Sequence, residues 1–122
     1  MTGTDYEKSI VALVCWARMK SELYRGMIAV AHVLRNRAAA GWFEDSIYLN
    51  AVAEFPEAID GLLEHPDVRD PEFQKLLLGV DKLFAGQLTD RTDGAMYFTR
   101  ASNEETIAGT VTTKIGQTIF FK

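Results

Sequence analysis

The hydrophobic pattern of this chain changes character at Asp93-Gly94, and that change fixes the fold class before any single residue is weighed. Ahead of it, apolar residues recur at helical spacing. Ile10, Leu13, Val14 and Ala17 mark one stripe, and Met27, Val30, Ala31 and Leu34 a second. Phe73, Leu76, Leu77, Val80 and Phe84 mark a third. After Asp93-Gly94 come three short runs rich in aromatic and β-branched residues, at 95–99, 110–113 and 117–121. Helices first and strands last predict an α+β domain, with N-terminal helices packed against a small C-terminal antiparallel sheet.

Local signals place the boundaries. Thr4 and Glu7 have capping-box spacing, so the first helix is expected from Asp5 to about Met19. Ser21 and Glu22 read as a break or tight corner. A second helix is expected from Tyr24 to Ala40, closed by Gly41. Its small residues Gly26, Ala29, Ala31 and Ala38 suit close helix contact. Ser46 can cap a short helix through Leu49 to Val52, which Pro56 interrupts, and 61–69 reads as loop. Asp70-Pro71 pairs a cap with proline at the first helical position and opens a helix ending at Gly86, with Gly79 a weak point inside it. A turn at Lys114 to Gly116 is expected to join the last two strands.

The 122 residues form one domain, with 48% apolar and 25% charged residues, as in ordinary globular proteins. The one cysteine, Cys15, excludes an internal disulfide and sits in an apolar run as a buried, inert thiol. No apolar stretch is long enough to span a membrane, and the start carries Asp5 and Glu7 where an export leader would be basic. The expected location is therefore cytoplasmic, and the host cytoplasm for a phage product. The net charge of −4 is unevenly spread. Residues 1–43 hold six bases against three acids, whereas 44–94 hold twelve acids against four bases. A basic first third suits an anion, but the acidic total and the lack of a basic run disfavour general nucleic-acid binding. His32, His65 and Cys15 lack metal-ligand spacing, and His32 is expected on a helix surface or corner. With neither a glycine-rich phosphate loop nor a nucleophile elbow, no cofactor is implied.

Residues 16–37 read WARMKSELYRGMIAVAHVLRNR. This resembles the opening helices of the SleB/CwlJ family of cell-wall hydrolases, whose pattern is W/Y-A/G-E-A-R-G-E, a short gap, then G-x-x-A-V-A-x-V-x-x-N-R. Gly26, Ala29, Val30, Ala31, Val33, Asn36 and Arg37 fit the second half, and Trp16, Ala17 and Glu22 the first. The family's D-P-T-x-G-A-x-Y-Y/F segment is similar to Asp90, Thr92, Gly94, Ala95, Tyr97 and Phe98, and its closing I-G-N-H-x-F-Y to Ile115, Gly116 and Phe120. The resemblance covers roughly residues 10 to 121. The departures cluster at polar positions. The family's catalytic glutamate falls on Arg18, a glycine on Ser21, and an arginine on Lys20. The family's Q-F-S becomes Glu54-Phe55-Pro56, and its terminal Asn-His pair becomes Gln117-Thr118.

The resemblance implies cleavage of the β-1,4 link of peptidoglycan by a lysozyme-like lytic transglycosylase mechanism. One glutamic acid protonates the leaving oxygen and then takes a proton from the sugar's own hydroxyl. Arginine, whose guanidinium stays protonated far above neutral pH, cannot do this. Glu22 and Glu54 are the candidate replacement acids, with Glu57 and Asp93 behind them. Their bland readings are a structural residue and an exposed loop acid. The competing expectation is a groove that holds an anion without cleaving it, such as a cell-wall fragment or a nucleotide signal sequestered during phage counter-defence. Arg18, Lys20, Glu22, Arg25, Glu54, Tyr97 and Gln117 are the candidate ligand-binding residues. A scaffold role using the fold only for packing is the third reading.

Overall fold

The computed structural model describes residues 3–19, 22–59 and 66–122. Among the described residues four helices precede a three-stranded sheet: α1 Asp5–Met19, α2 Leu23–Ala39, α3 Ile47–Glu54 and α4 Pro71–Phe84, then β1 Tyr97–Arg100, β2 Val111–Ile115 and β3 Thr118–Phe121. This is the expected α+β order. Short 3-10 helices occupy Pro56–Ala58 and Ala101–Thr106. Among the described residues no helix is long and apolar enough to cross a membrane.

The helix starts form where the sequence puts polar caps. Thr4 N donates to Glu7 Oε1 at 2.9 Å and Glu7 N to Thr4 Oγ1 at 3.1 Å, the reciprocal capping box. Ser46 Oγ accepts from Leu49 N at 3.0 Å, and Asp70 accepts from Glu72 N at 2.9 Å. Gly41, at φ 92°, follows the end of α2 in the left-handed conformation glycine favours. Phe43, Glu44 and Asp45 also have positive φ. The buried Asn50 amide braces this turn by donating to Trp42 O at 2.9 Å and Ser46 O at 2.8 Å. Of the expected 61–69 loop, 61–65 lie outside the described residues, and 66–69 carry only a turn.

α1 is the central helix and packs on α2, α3 and α4. The single stripe expected for it is therefore too narrow: every residue from Ile10 to Cys15 is buried, because three neighbours cover its faces, while Ala17 is half-buried. Met27, Leu34, Phe73, Leu76 and Leu83 complete the core, each contributing about 1.5–3 kcal/mol by leaving water. Trp16 closes its edge on Phe73, with centroids 5.4 Å apart and planes at 88°. Gly79 inside α4 has a packing reason, since a Cβ there would lie 2.6 Å from Tyr24 Oη.

The last strand in sequence is central in space, in the order β1-β3-β2, both pairs antiparallel. Phe98 faces Phe120, and Ile115 faces Thr118, so the β2–β3 turn is Gly116-Gln117 and not Lys114 to Gly116. Phe120 is fully buried and carries the sheet onto the helical core. His32 corrects a second expectation. It is buried at 3% exposure, because the 87–91 segment folds across α2 and brings Asp90 Oδ1 to 4.0 Å from its Nδ1.

Candidate functional site

The end of α1, the start of α2 and the sheet enclose a cleft of about 300 Å³. Arg18 and Met19 line it from α1, Glu22 from the start of α2, and Thr99, Arg100 and Gln117 from the sheet. Three expected site residues, Arg18, Glu22 and Gln117, thus come together from segments about a hundred residues apart. The contact that joins them is specific: Gln117 N donates to Glu22 Oε1 at 3.0 Å. Gly116, at φ 59°, lies under the same carboxylate, where a Cβ would collide with it. Thr118 Oγ1 contacts Met19 Sδ at 3.5 Å and closes the floor. Glu22 therefore ties the helical half to the β2–β3 turn, and its side chain makes no capping bond to α2.

Behind the cleft, Glu54 sits between two guanidinium groups. Arg37 Nη1 lies 3.2 Å from its Oε2, and Arg18 Nε 3.8 Å from its Oε1. Arg18 is fixed further by donating to the Glu54 backbone carbonyl at 2.8 Å and by lying 4.4 Å over the Phe55 ring. Arg37 donates to Met96 O at 2.8 Å and lies 5.3 Å from the Trp42 ring and 5.8 Å from Tyr97. Tyr97 itself is 40% exposed and stacks on Phe121 at 5.4 Å. Glu54 is thus not a free loop acid. Both its oxygens face cations, and it would have to leave both to reach a substrate.

Arg25 lines a different pocket, with Tyr24 and His32, and Lys20 lies outside the described residues. Glu57 and Asp93 are exposed, and neither lines the cleft. Among the described residues no three possible ligands are grouped to hold a metal ion. Sequence reasoning missed Arg100 and Asn103 as cleft residues, and no local signal marks them. It also missed Arg37 as the partner of Glu54, although Arg37 had been noted as a motif residue.

The motif pieces from the two halves of the chain meet one another. Asn36 Nδ2 donates to Asp90 Oδ2 and to Ala95 O, both at 2.9 Å. Asp90 Oδ1 accepts from Thr92 N at 2.8 Å and Thr92 Oγ1 at 2.6 Å, and Oδ2 also accepts from Gly94 N at 3.1 Å. The α2 segment and the turn before β1 are one interlocked unit, which positions Arg37 between Glu54 and the Tyr97 ring.

A model of the cell wall hydrolase family matches residues 21–121. No curated protein and no solved structure matches the chain. The match takes in α2, the Asp90 turn, the sheet and the Glu22–Gln117 contact, and begins after Arg18. The chain belongs to the cell wall hydrolase family, of the SleB-like type.

Proposed function

We propose that the chain binds peptidoglycan glycan strands in the cleft beside Arg18 and has lost the family's usual hydrolytic step. One observation carries the reading. Arg18, which the resemblance sets at the family's general-acid position, lines the cleft at the end of α1, and the nearby carboxylates Glu22 and Glu54 are already engaged. A guanidinium can neither give a proton to a leaving oxygen nor recover it. Glu22 is bound to Gln117 N, and Glu54 is held by Arg18 and Arg37. What is left is a polar cleft that can hydrogen-bond a sugar or an acidic peptide stem without cleaving it. The test is incubation with purified peptidoglycan, followed by separation of soluble muropeptides. Retention of the protein on the insoluble wall without release of anhydro-muropeptides is expected. Release at enzyme-like rates would overturn the reading.

A second reading is favoured by the pair Arg18 and Arg100, which line the same cleft from helix and strand. Two guanidiniums on facing elements suit a compact anion such as a phosphate-bearing nucleotide signal. Thermal shift against phosphate-bearing metabolites separates the two. Stabilisation by a nucleotide that Arg18→Ala abolishes, without wall binding, would select this second reading.

A further inference from the structure

A second pocket lies on the other side of α2. One face of that helix, Arg25, Ile28, Ala29 and His32, forms a wall at helical spacing, and residues 87–89 with Arg91 form the opposite wall. Tyr24 and Ile115 close the ends. The pocket holds about 450 Å³, within the range of small-molecule sites. It shares no lining residue with the cleft beside Arg18.

Two features are unexplained by packing. Arg25 and Arg91 make no ion pair or hydrogen bond among the described residues, although Arg91 lies in the acidic 44–94 segment. His32 is buried, and its Nδ1 has no hydrogen-bond partner. Asp90 cannot serve it, since it stands 4.0 Å away and already accepts four hydrogen bonds. Burial holds the His32 imidazole below its ordinary pKa, against the pull of Asp90 and with help from Arg35. At neutral pH it is therefore an uncharged donor and acceptor. A buried polar atom left without a partner is costly, and such sites in native proteins call for an explanation.

We infer that this pocket binds a small amphiphilic acid, its apolar body against Ile28, Leu88 and Ile115 and its anionic head paired with Arg25 and Arg91. The apolar walls set the body and the two unpaired guanidiniums set the charge. His32 lines the helix wall, and Tyr24, Gln87 and Thr89 add polar groups around the body. The site is independent of the glycan cleft, so its failure and the failure of the glycan reading are separate results.

The probe is 2-naphthoate titrated into the full chain, with 2-naphthamide and inorganic phosphate as the uncharged and body-free arms. Amide resonances are followed by NMR. Saturable binding of 2-naphthoate is expected, with shifts confined to residues 24–32, 87–91 and the neighbourhood of Ile115. The double variant Arg25→Glu, Arg91→Glu should weaken it about tenfold or more, as should replacement of the acid by the amide. Both side chains are exposed, so the fold survives the change. Lack of saturation at millimolar probe, undiminished affinity in the double variant, or shifts centred on Thr99 and Gln117 would overturn the proposal. So would phosphate binding as well as 2-naphthoate.

Discussion

Replacing Asp90 by alanine is expected to cost more than any other single truncation of a carboxylate in this chain. The side chain accepts four hydrogen bonds: two from Thr92, one from Asn36 and one from Gly94. Bonds to an ionised acceptor are worth about 1.5–3 kcal/mol each in favourable cases, and they share one network, so their sum is an upper bound. A quarter of the side chain remains exposed, which lets water replace part of what is lost. The net expectation is about 2–4 kcal/mol, a large share of the roughly 5–15 kcal/mol that holds a domain of this size. Asp90→Asn should cost less, because one oxygen remains, yet still about 1–3 kcal/mol, since its amide must face the donors of Asn36 or Thr92. Urea denaturation of both variants, followed by tryptophan fluorescence, gives the numbers. The pH dependence is a second arm. Burial raises the Asp90 pKa, but the hydrogen bonds from Thr92, Asn36 and Gly94 together outweigh it, and the net direction is downward from 3.8. A depressed folded pKa means stability that is full above the unfolded value and lost as pH falls through the folded one. The wild type should therefore lose stability below about pH 4, and the alanine variant should lose less over that interval. A loss under about 1 kcal/mol for Asp90→Ala, with an unchanged acid limb, would refute the network as the clamp between α2 and the sheet.

Three further outcomes follow from the same geometry. Gly116→Ala should destabilise by about 1–3 kcal/mol, because its φ is 59° and the new Cβ meets the Glu22 carboxylate; adding Glu22→Ala should recover part of the loss in a double-mutant cycle, and strict additivity would count against the contact. Gly79→Ala, which in an open helix would stabilise by about 0.5–1 kcal/mol, should fail to do so until Tyr24→Ala removes the ring it strikes; a gain in the wild-type background would show that Tyr24 moves aside freely. Cys15 is fully buried, with its thiol pushed far up by desolvation and then by the charge of Glu54, so it should resist Ellman's reagent at pH 8 until urea unfolds the chain; rapid native-state labelling would contradict its burial.

What could be read from the sequence was what is local. The Thr4–Glu7 box, the Ser46 cap and Asp70-Pro71 each act within one helical turn, so residue type and spacing suffice. The strands were legible as β-branched runs, but their edges were not: the first begins at Tyr97 and not at Ala95, and the β2–β3 turn sits one step later than expected. Strand order was out of reach, because Phe98 and Phe120 pair across a separation that no periodicity encodes. The same limit governs the site. Glu54 looks like a loop acid in one dimension, and only the fold brings Arg18 and Arg37 to it. His32 looks like a helix-surface residue until a segment more than fifty positions later covers it.

The surroundings of Arg18 also decide what restoring a glutamate there would mean. Its guanidinium holds the Glu54 carbonyl, stacks on Phe55 and stands near the Glu54 carboxylate, so Arg18→Glu removes three contacts and sets two carboxylates side by side. Like charges that close cannot both ionise easily, and one of them keeps its proton to higher pH. That is the condition a general acid needs. The neighbour that now neutralises Arg18 would thus raise the proton affinity of the new Glu, provided Arg37 goes on holding Glu54 in place at 3.2 Å. If Arg18 occupies the acid's position, the single substitution should bring slow release of anhydro-muropeptides, and adding Glu54→Gln should move the pH limit of that activity downward by removing the like charge. If the position is wrong, both variants stay inert and Arg18→Glu only loosens the loop at Phe55. Because the two outcomes differ in pH dependence and not merely in amount, a weak signal from a contaminating hydrolase cannot mimic the first.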